Sequence, residues 1–219
     1  MNTGKDILIL LPSKGRPGNV KRFYKSWEGS KNSDVLLILD DDEVEYSDIS
    51  EFITERVKNK RMVEKINYGA KKYVDNYSVI GFVGDDVVIE TKNWEKKILD
   101  RLKKYGTYSI VFPNDGYKKN NLPSHIFMTK ALYKKLGWFA YPKMTHLYID
   151  AIWRHIGNYI NIKKLDGGYG LVNDVVMRHL HWSLDKSVKK DYTYINAYKQ
   201  KPGECDKTEF IKFKETWRF

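Results

Sequence analysis

The stretch Ile7-Leu8-Ile9-Leu10-Leu11-Pro12-Ser13-Lys14-Gly15-Arg16-Pro17-Gly18 decides the architecture. Five consecutive apolar residues make a strand, and an unbroken apolar run belongs to a strand covered on both faces. Pro12 ends it, and a loop of glycines, prolines and two cations follows. Val20, Phe23, Tyr24 and Trp27 then recur at spacings of three and four and Gly29 closes the segment, which predicts an amphipathic helix. Val35-Leu36-Leu37-Ile38-Leu39 is a second buried strand running directly into Asp40-Asp41-Asp42. Strand, helix, strand in that order is the start of a parallel α/β sheet.

Working outward, residues 47–60 and 70–76 read as helical, and Ser78-Val79-Ile80-Gly81-Phe82-Val83 returns to strand composition before Gly84-Asp85-Asp86. Residues 93–105 place Trp94, Ile98, Leu102 and Tyr105 on one helical face with Gly106 as a stop, and residues 109–112 supply another strand. The first 112 residues thus predict a mostly parallel sheet flanked by helices. Beyond Pro113 the pattern loosens into a polar loop, a short helix over 130–136 ended by Gly137, and a helix over 147–156 ended by Gly157. Strands are expected at 160–164 and 172–180, and a charged, aromatic tail, with some helix near its end, occupies 183–219.

Composition bounds the function. With 219 residues, 42% of them hydrophobic, the chain can build one ordinary core. The single cysteine, Cys205, excludes an intramolecular disulfide and a cysteine-rich zinc site, no apolar run approaches bilayer length, and no long apolar stretch opens the chain, which together point to a cytoplasmic protein. A net charge of +11 favours phosphate-bearing partners, although scattered lysines on a solvated surface account for it equally well. The spacings of a dinucleotide fingerprint and of a phosphate-binding loop are both absent.

In an open parallel sheet, ligands bind beyond the carboxyl ends of the strands. There the sequence puts Pro12, Ser13, Lys14 and Arg16, with cations suited to phosphates; Asp40, Asp41 and Asp42, suited to a ribose or base edge or else a solvated turn; and Asp85 and Asp86, hard oxygen ligands for a divalent cation bridging to a diphosphate. Late in the chain, His179 and His181 share a face if their segment is a strand, and one imidazole could complete a metal sphere.

The Pro-Ser-Lys-Gly-Arg-Pro loop, the acids after the second strand, the Asp-Asp pair, Leu136-Gly137-Trp138-Phe139, Tyr148-Ile149-Asp150 and the closing His-Leu-His together resemble the GT-A glycosyltransferases. The likeness is to family-2-like members of phages and bacteria, and it spans about residues 7–182. It implies a Rossmann-like nucleotide-binding half (1–112), an acceptor half (113–182) and a C-terminal extension (183–219). It also implies a nucleotide-sugar donor, a UDP-sugar foremost, with a manganese or magnesium ion on its diphosphate. The family's Asp-x-Asp reads Gly84-Asp85-Asp86 here, so Asp86 would be the metal ligand, joined by His179 or His181, and Asp85 would face the ribose or sugar. Lys14, Arg16 or Lys186 would assist the leaving group. Asp150 would be the general base, although the family's Glu-Asp pair is Ile149-Asp150 here and a helix N-terminal charge is the structural alternative.

Two rivals follow. A nucleotidyltransferase shares sheet and carboxylates, but its usual glycine-rich loop is missing. A non-catalytic nucleic-acid-binding module explains +11 and 16 tyrosines but not the aspartates at strand ends. Among acceptors, the charge favours DNA, such as a hydroxymethylated pyrimidine of the phage type, over a cell-surface polysaccharide or lipid-linked glycan.

Overall fold

The computed structural model describes residues 4–46, 50–58, 60–117, 122–182, 195 and 202–219. Eight strands form one sheet in the order β3-β2-β1-β4-β7-β6-β8-β5. β1 (Ile7–Pro12) lies between β2 (Ser33–Asp40) and β4 (Val79–Phe82), parallel to both, with Leu11 opposite Leu37 and Leu10 opposite Phe82. β3 (Ile53–Val57) adds a parallel edge to β2. On the other side β7 (Ile126–Thr129) runs antiparallel to β4 and to β6 (Ile110–Asn114). β8 (Tyr169–His179) is parallel to β6, and β5 (Val87–Ile89) pairs antiparallel with the end of β8. A mostly parallel sheet flanked by helices is therefore the architecture.

Side chains of β1 alternate between two cores, as a period of two requires. Ile7, Ile9 and Leu11 join Val20, Phe23 and Trp27 of α1 (Pro17–Trp27) and Trp94, Ile98 and Leu102 of α3 (Trp94–Tyr105). Leu8 and Leu10 face the other way, toward α2 (Met62–Tyr73), α4 (Lys130–Leu136) and α5 (Ile149–Ile162). The last helix, α6 (Pro202–Thr216), buries Phe213 in that second core.

Several expectations are corrected. The helix expected over 47–60 is instead strand β3 from Ile53, because Ile53 and Val57 turn toward one core and, with Thr54, are β-branched residues that suit a strand; residues 47–49 and 59 lie outside the described residues. Gly157 does not stop its helix, and the strand expected over 160–164 is the end of α5 and its cap: a Cβ on Gly157 would lie 2.2 Å from the ring of Tyr169, so this glycine permits a close approach. Strands β5 and β7, of three and four residues, were too short to stand out as separate apolar runs.

Candidate active site

The parallel registers carry the loops after β1, β2 and β4 to one edge of the sheet, where their polar residues interlock. Ser13 is buried and donates its hydroxyl proton to Asp85 Oδ2 at 2.6 Å. Its oxygen also lies 2.9 Å from the Tyr46 hydroxyl, and since the serine has one proton, Tyr46 is the donor there. Tyr46 in turn accepts the Arg16 backbone N–H at 2.7 Å, so a continuous hydrogen-bonded chain runs from Arg16 to Asp85. The Arg16 guanidinium closes it, with Nη1 3.3 Å from Asp85 Oδ1. Burial, and then the charge of Asp86, push the Asp85 carboxyl up to about 6 against the opposing pull of Arg16 and Ser13.

Asp40 is only 1% exposed, and it is clamped by two lysines: Lys14 Nζ at 2.7 Å and Lys65 Nζ at 2.9 Å. Burial alone would raise its carboxyl, but hydrogen bonds and charge from Lys14 and Lys65 more than reverse that and hold it below the usual range. Lys65, on the inner face of α2, is buried and also reaches the Ser13 carbonyl at 3.4 Å. Asp41 and Asp42 are exposed, and Glu43 accepts the Gly15 N–H at 3.0 Å, tying the second loop to the first. Carboxylate oxygens of Asp40, Asp42 and Glu43 fall within 4.8 Å of one another, but Asp40 is already neutralised by its lysines. Pro12, the last residue of β1, is half-buried at the same edge. Lys186 lies outside the described residues.

A second cluster forms where β5 turns back against β8. Val87 pairs with His179, and the Leu180 N–H donates to the Asp86 carbonyl at 2.8 Å, which fixes His179 beside Asp86. His179 Nε2 stands 3.2 Å from Asp86 Oδ1, with both side chains largely buried. Two adjacent ligands on an octahedral ion with bonds of about 2.1 Å are roughly 3.0 Å apart, so Asp86 and His179 could hold a divalent ion, which would need further oxygens from elsewhere. His181 follows the end of β8, its ring centroid 5.3 Å from that of His179. His125, just before β7, is 2% exposed and sets its ring edge-on to His179 at 4.9 Å.

Asp150 sits in the first turn of α5, where one oxygen accepts the Ala151 N–H at 2.8 Å. One turn on, the ring of Trp153 packs 5.5 Å from Phe82, the last residue of β4, so α5 begins at the same sheet edge as Asp85 and Asp86. Sequence reasoning missed Lys65 and His125. A lysine in phase with Val63, Ile66 and Ala70 on the apolar face of α2 was a usable signal for the first, while His125 lay in a stretch read as loop.

No family model and no curated protein matches the chain. Solved structures do. Glucosyl-3-phosphoglycerate synthase from Mycobacterium tuberculosis, in complex with Mn2+, uridine diphosphate and phosphoglyceric acid, superposes with a TM-score of 0.60 at 9% identity, over 95% of this chain and 80% of that one. TarS from S. aureus gives 0.57 at 9% identity over 78% of this chain. The fold is of the GT-A type. The chain spans 59% of the TarS structure. CMP:2-keto-3-deoxy-manno-octonic acid synthetase, complexed with CTP, gives 0.51 at 7% identity over 78% of this chain and 91% of that one. No described helix is long and apolar enough to cross a membrane.

Proposed function

We propose that the protein is a metal-assisted glycosyltransferase that moves a sugar from a nucleoside diphosphate, a UDP-sugar foremost, to an acceptor hydroxyl. The observation that carries this reading is the convergence of Asp86 and His179 at the carboxyl edge of a GT-A sheet, 3.2 Å apart and beside the Arg16–Asp85 pair. A manganese or magnesium ion held there would neutralise the departing diphosphate. Arg16 and the half-exposed Lys14 add positive charge at the same edge, and Ser13 with Tyr46 fixes the loop that carries them. Asp85, ordered by Arg16 and Ser13, faces the donor's ribose or sugar. Asp150 accepts the acceptor's proton through the oxygen not engaged by the Ala151 amide. Asp86 and His179 would hold the ion, and His181 would be the reserve ligand.

The likeness to a CTP-bound synthetase favours a second reading, nucleotidyl transfer to a sugar. The products separate the two. A panel of nucleotide sugars with manganese, and of nucleoside triphosphates with sugars, is assayed for nucleoside diphosphate and for pyrophosphate. Release of the diphosphate with transfer of the sugar is expected, and pyrophosphate alone would overturn the proposal. The acceptor is read from the charge of +11 as a hydroxymethylated pyrimidine in DNA, with a surface or lipid-linked glycan as the alternative; the same assay run with each acceptor decides between them.

A further inference from the structure

Asp206 of α6 is fully buried, and an ionised carboxylate in an interior is costly unless its oxygens are satisfied. They are satisfied by a single turn of chain. Oδ1 accepts the Thr145 N–H at 2.9 Å, Oδ2 accepts the N–H groups of His146 at 3.0 Å and Leu147 at 2.8 Å, and the Thr145 hydroxyl lies 2.9 and 2.8 Å from the two oxygens. Three successive amides around one carboxylate hold that turn in a fixed direction. The next residue, Tyr148, adopts a left-handed φ of 62°, uncommon for a residue with a side chain, and its ring stacks on Phe210 of α6 at 5.7 Å. α5 starts at Ile149, and Asp150 follows.

Docking of α6 has an apolar anchor of its own, since Phe213 is buried among Trp138, Tyr141, His155 and Trp217. The buried carboxylate is instead directed at the 145–147 turn. Within that turn, His146 is held below the usual imidazole range by burial first, with the Asp206 charge opposing it and Arg16 adding to it, so the turn stands within electrostatic reach of Arg16.

We infer that Asp206 is a positioning residue for group transfer: by caging the 145–147 turn, it sets where the start of α5, and with it Asp150, stands against the strand ends. This rests on the transferase reading above. It makes α6 part of the acceptor side of the site, although the helix is more than fifty residues removed in sequence from the turn it grips.

The test measures steady-state transfer and amide hydrogen exchange in Asp206→Asn and Thr145→Val. Asp206→Asn keeps the shape but turns amide hydrogens toward the turn's own donors. Its kcat is expected to fall by about 10- to 100-fold, the scale set by a misplacement of about 1 Å, with the KM for the nucleotide sugar within about twofold and faster exchange at 145–147. Thr145→Val removes only the hydroxyl contacts, and its kcat should fall less than about tenfold in the same direction. A wild-type kcat in Asp206→Asn with those amides exchanging faster overturns the inference, as does a fall in kcat matched by an equal loss of donor affinity. If Asp206→Asn does not fold, an unchanged kcat in Thr145→Val overturns it alone. A wild-type protein that consumes no nucleotide sugar removes the transferase reading instead, so the two failures are distinct.

Discussion

Two neighbouring carboxylates at the end of β4 have opposite surroundings. Asp85 is enclosed by Ser13 and Arg16, whereas Asp86 turns to His179. That division predicts unequal substitutions. Asp86→Ala should abolish manganese binding in the presence of a nucleotide sugar, because alanine offers no oxygen in place of the lost ligand; calorimetric titration checks it, and unchanged manganese affinity would remove Asp86 from the site. Asp150→Asn should leave donor affinity intact while turnover drops by about two to four orders of magnitude, the range for a lost proton acceptor. Steady-state kinetics at saturating donor would show this, and near wild-type turnover would return Asp150 to the role of a helix N-terminal charge. At this scale the sequence made the acids at strand ends legible, because strand composition announces where a strand stops. What each acid touches was not legible. Asp40 reads like a ligand-binding residue, yet Lys65, brought over from α2, buries and neutralises it.

Elements that depend on local periodicity could be read, and those that depend on a distant partner could not. β1, β2, α1, α3 and α4 follow from runs and spacings within their own residues. β3 is a strand because β2 offers an edge, and β5 because the end of β8 folds against it. Gly157 shows the same limit inside a helix. Its helix-ending reputation is a local preference, but what fixes it here is the ring of Tyr169, more than ten residues on and across the packing between α5 and β8. The energies can be set against each other. Replacing an interior helical glycine with alanine gains about 1 kcal/mol in propensity, while a Cβ at 2.2 Å from ring carbons forces a shift costing about 1–3 kcal/mol. Gly157→Ala is therefore expected to lower the denaturant midpoint with an unchanged slope. A raised midpoint would mean that the Tyr169 ring swings aside freely.

Across the whole molecule, where a charge sits matters more than how much of it there is. A broad DNA-binding face would draw on lysine pairs such as 71–72, 96–97, 103–104, 118–119 and 189–190, of which the last two lie outside the described residues. Lys72, Lys96 and Lys97 are each paired with an acid, Glu55, Asp100 and Asp174 respectively. Lys71–Lys72 and Lys103–Lys104 occupy the last turns of α2 and α3, which lead into the first residues of β4 and β6. Those two strands are parallel, since β7 is antiparallel to both, so these pairs flank the amino ends of the sheet while the candidate site lies at the carboxyl ends. The strands between are four to six residues long, roughly 13–20 Å at about 3.3 Å per residue, whereas exposed charges are screened over about 8 Å at physiological salt. Reversing both Lys103 and Lys104 to glutamate removes four units from the net charge of +11 but should change kcat/KM on a working acceptor by less than about twofold, DNA included. The measurement is a salt series from about 50 to 200 mM for wild type and double variant, over which a true phosphate-binding face loses affinity steeply. A tenfold fall in kcat/KM that is largest at low salt would show that the acceptor lies across the amino ends of the strands, and a broad DNA-binding surface would then be the better account of the charge.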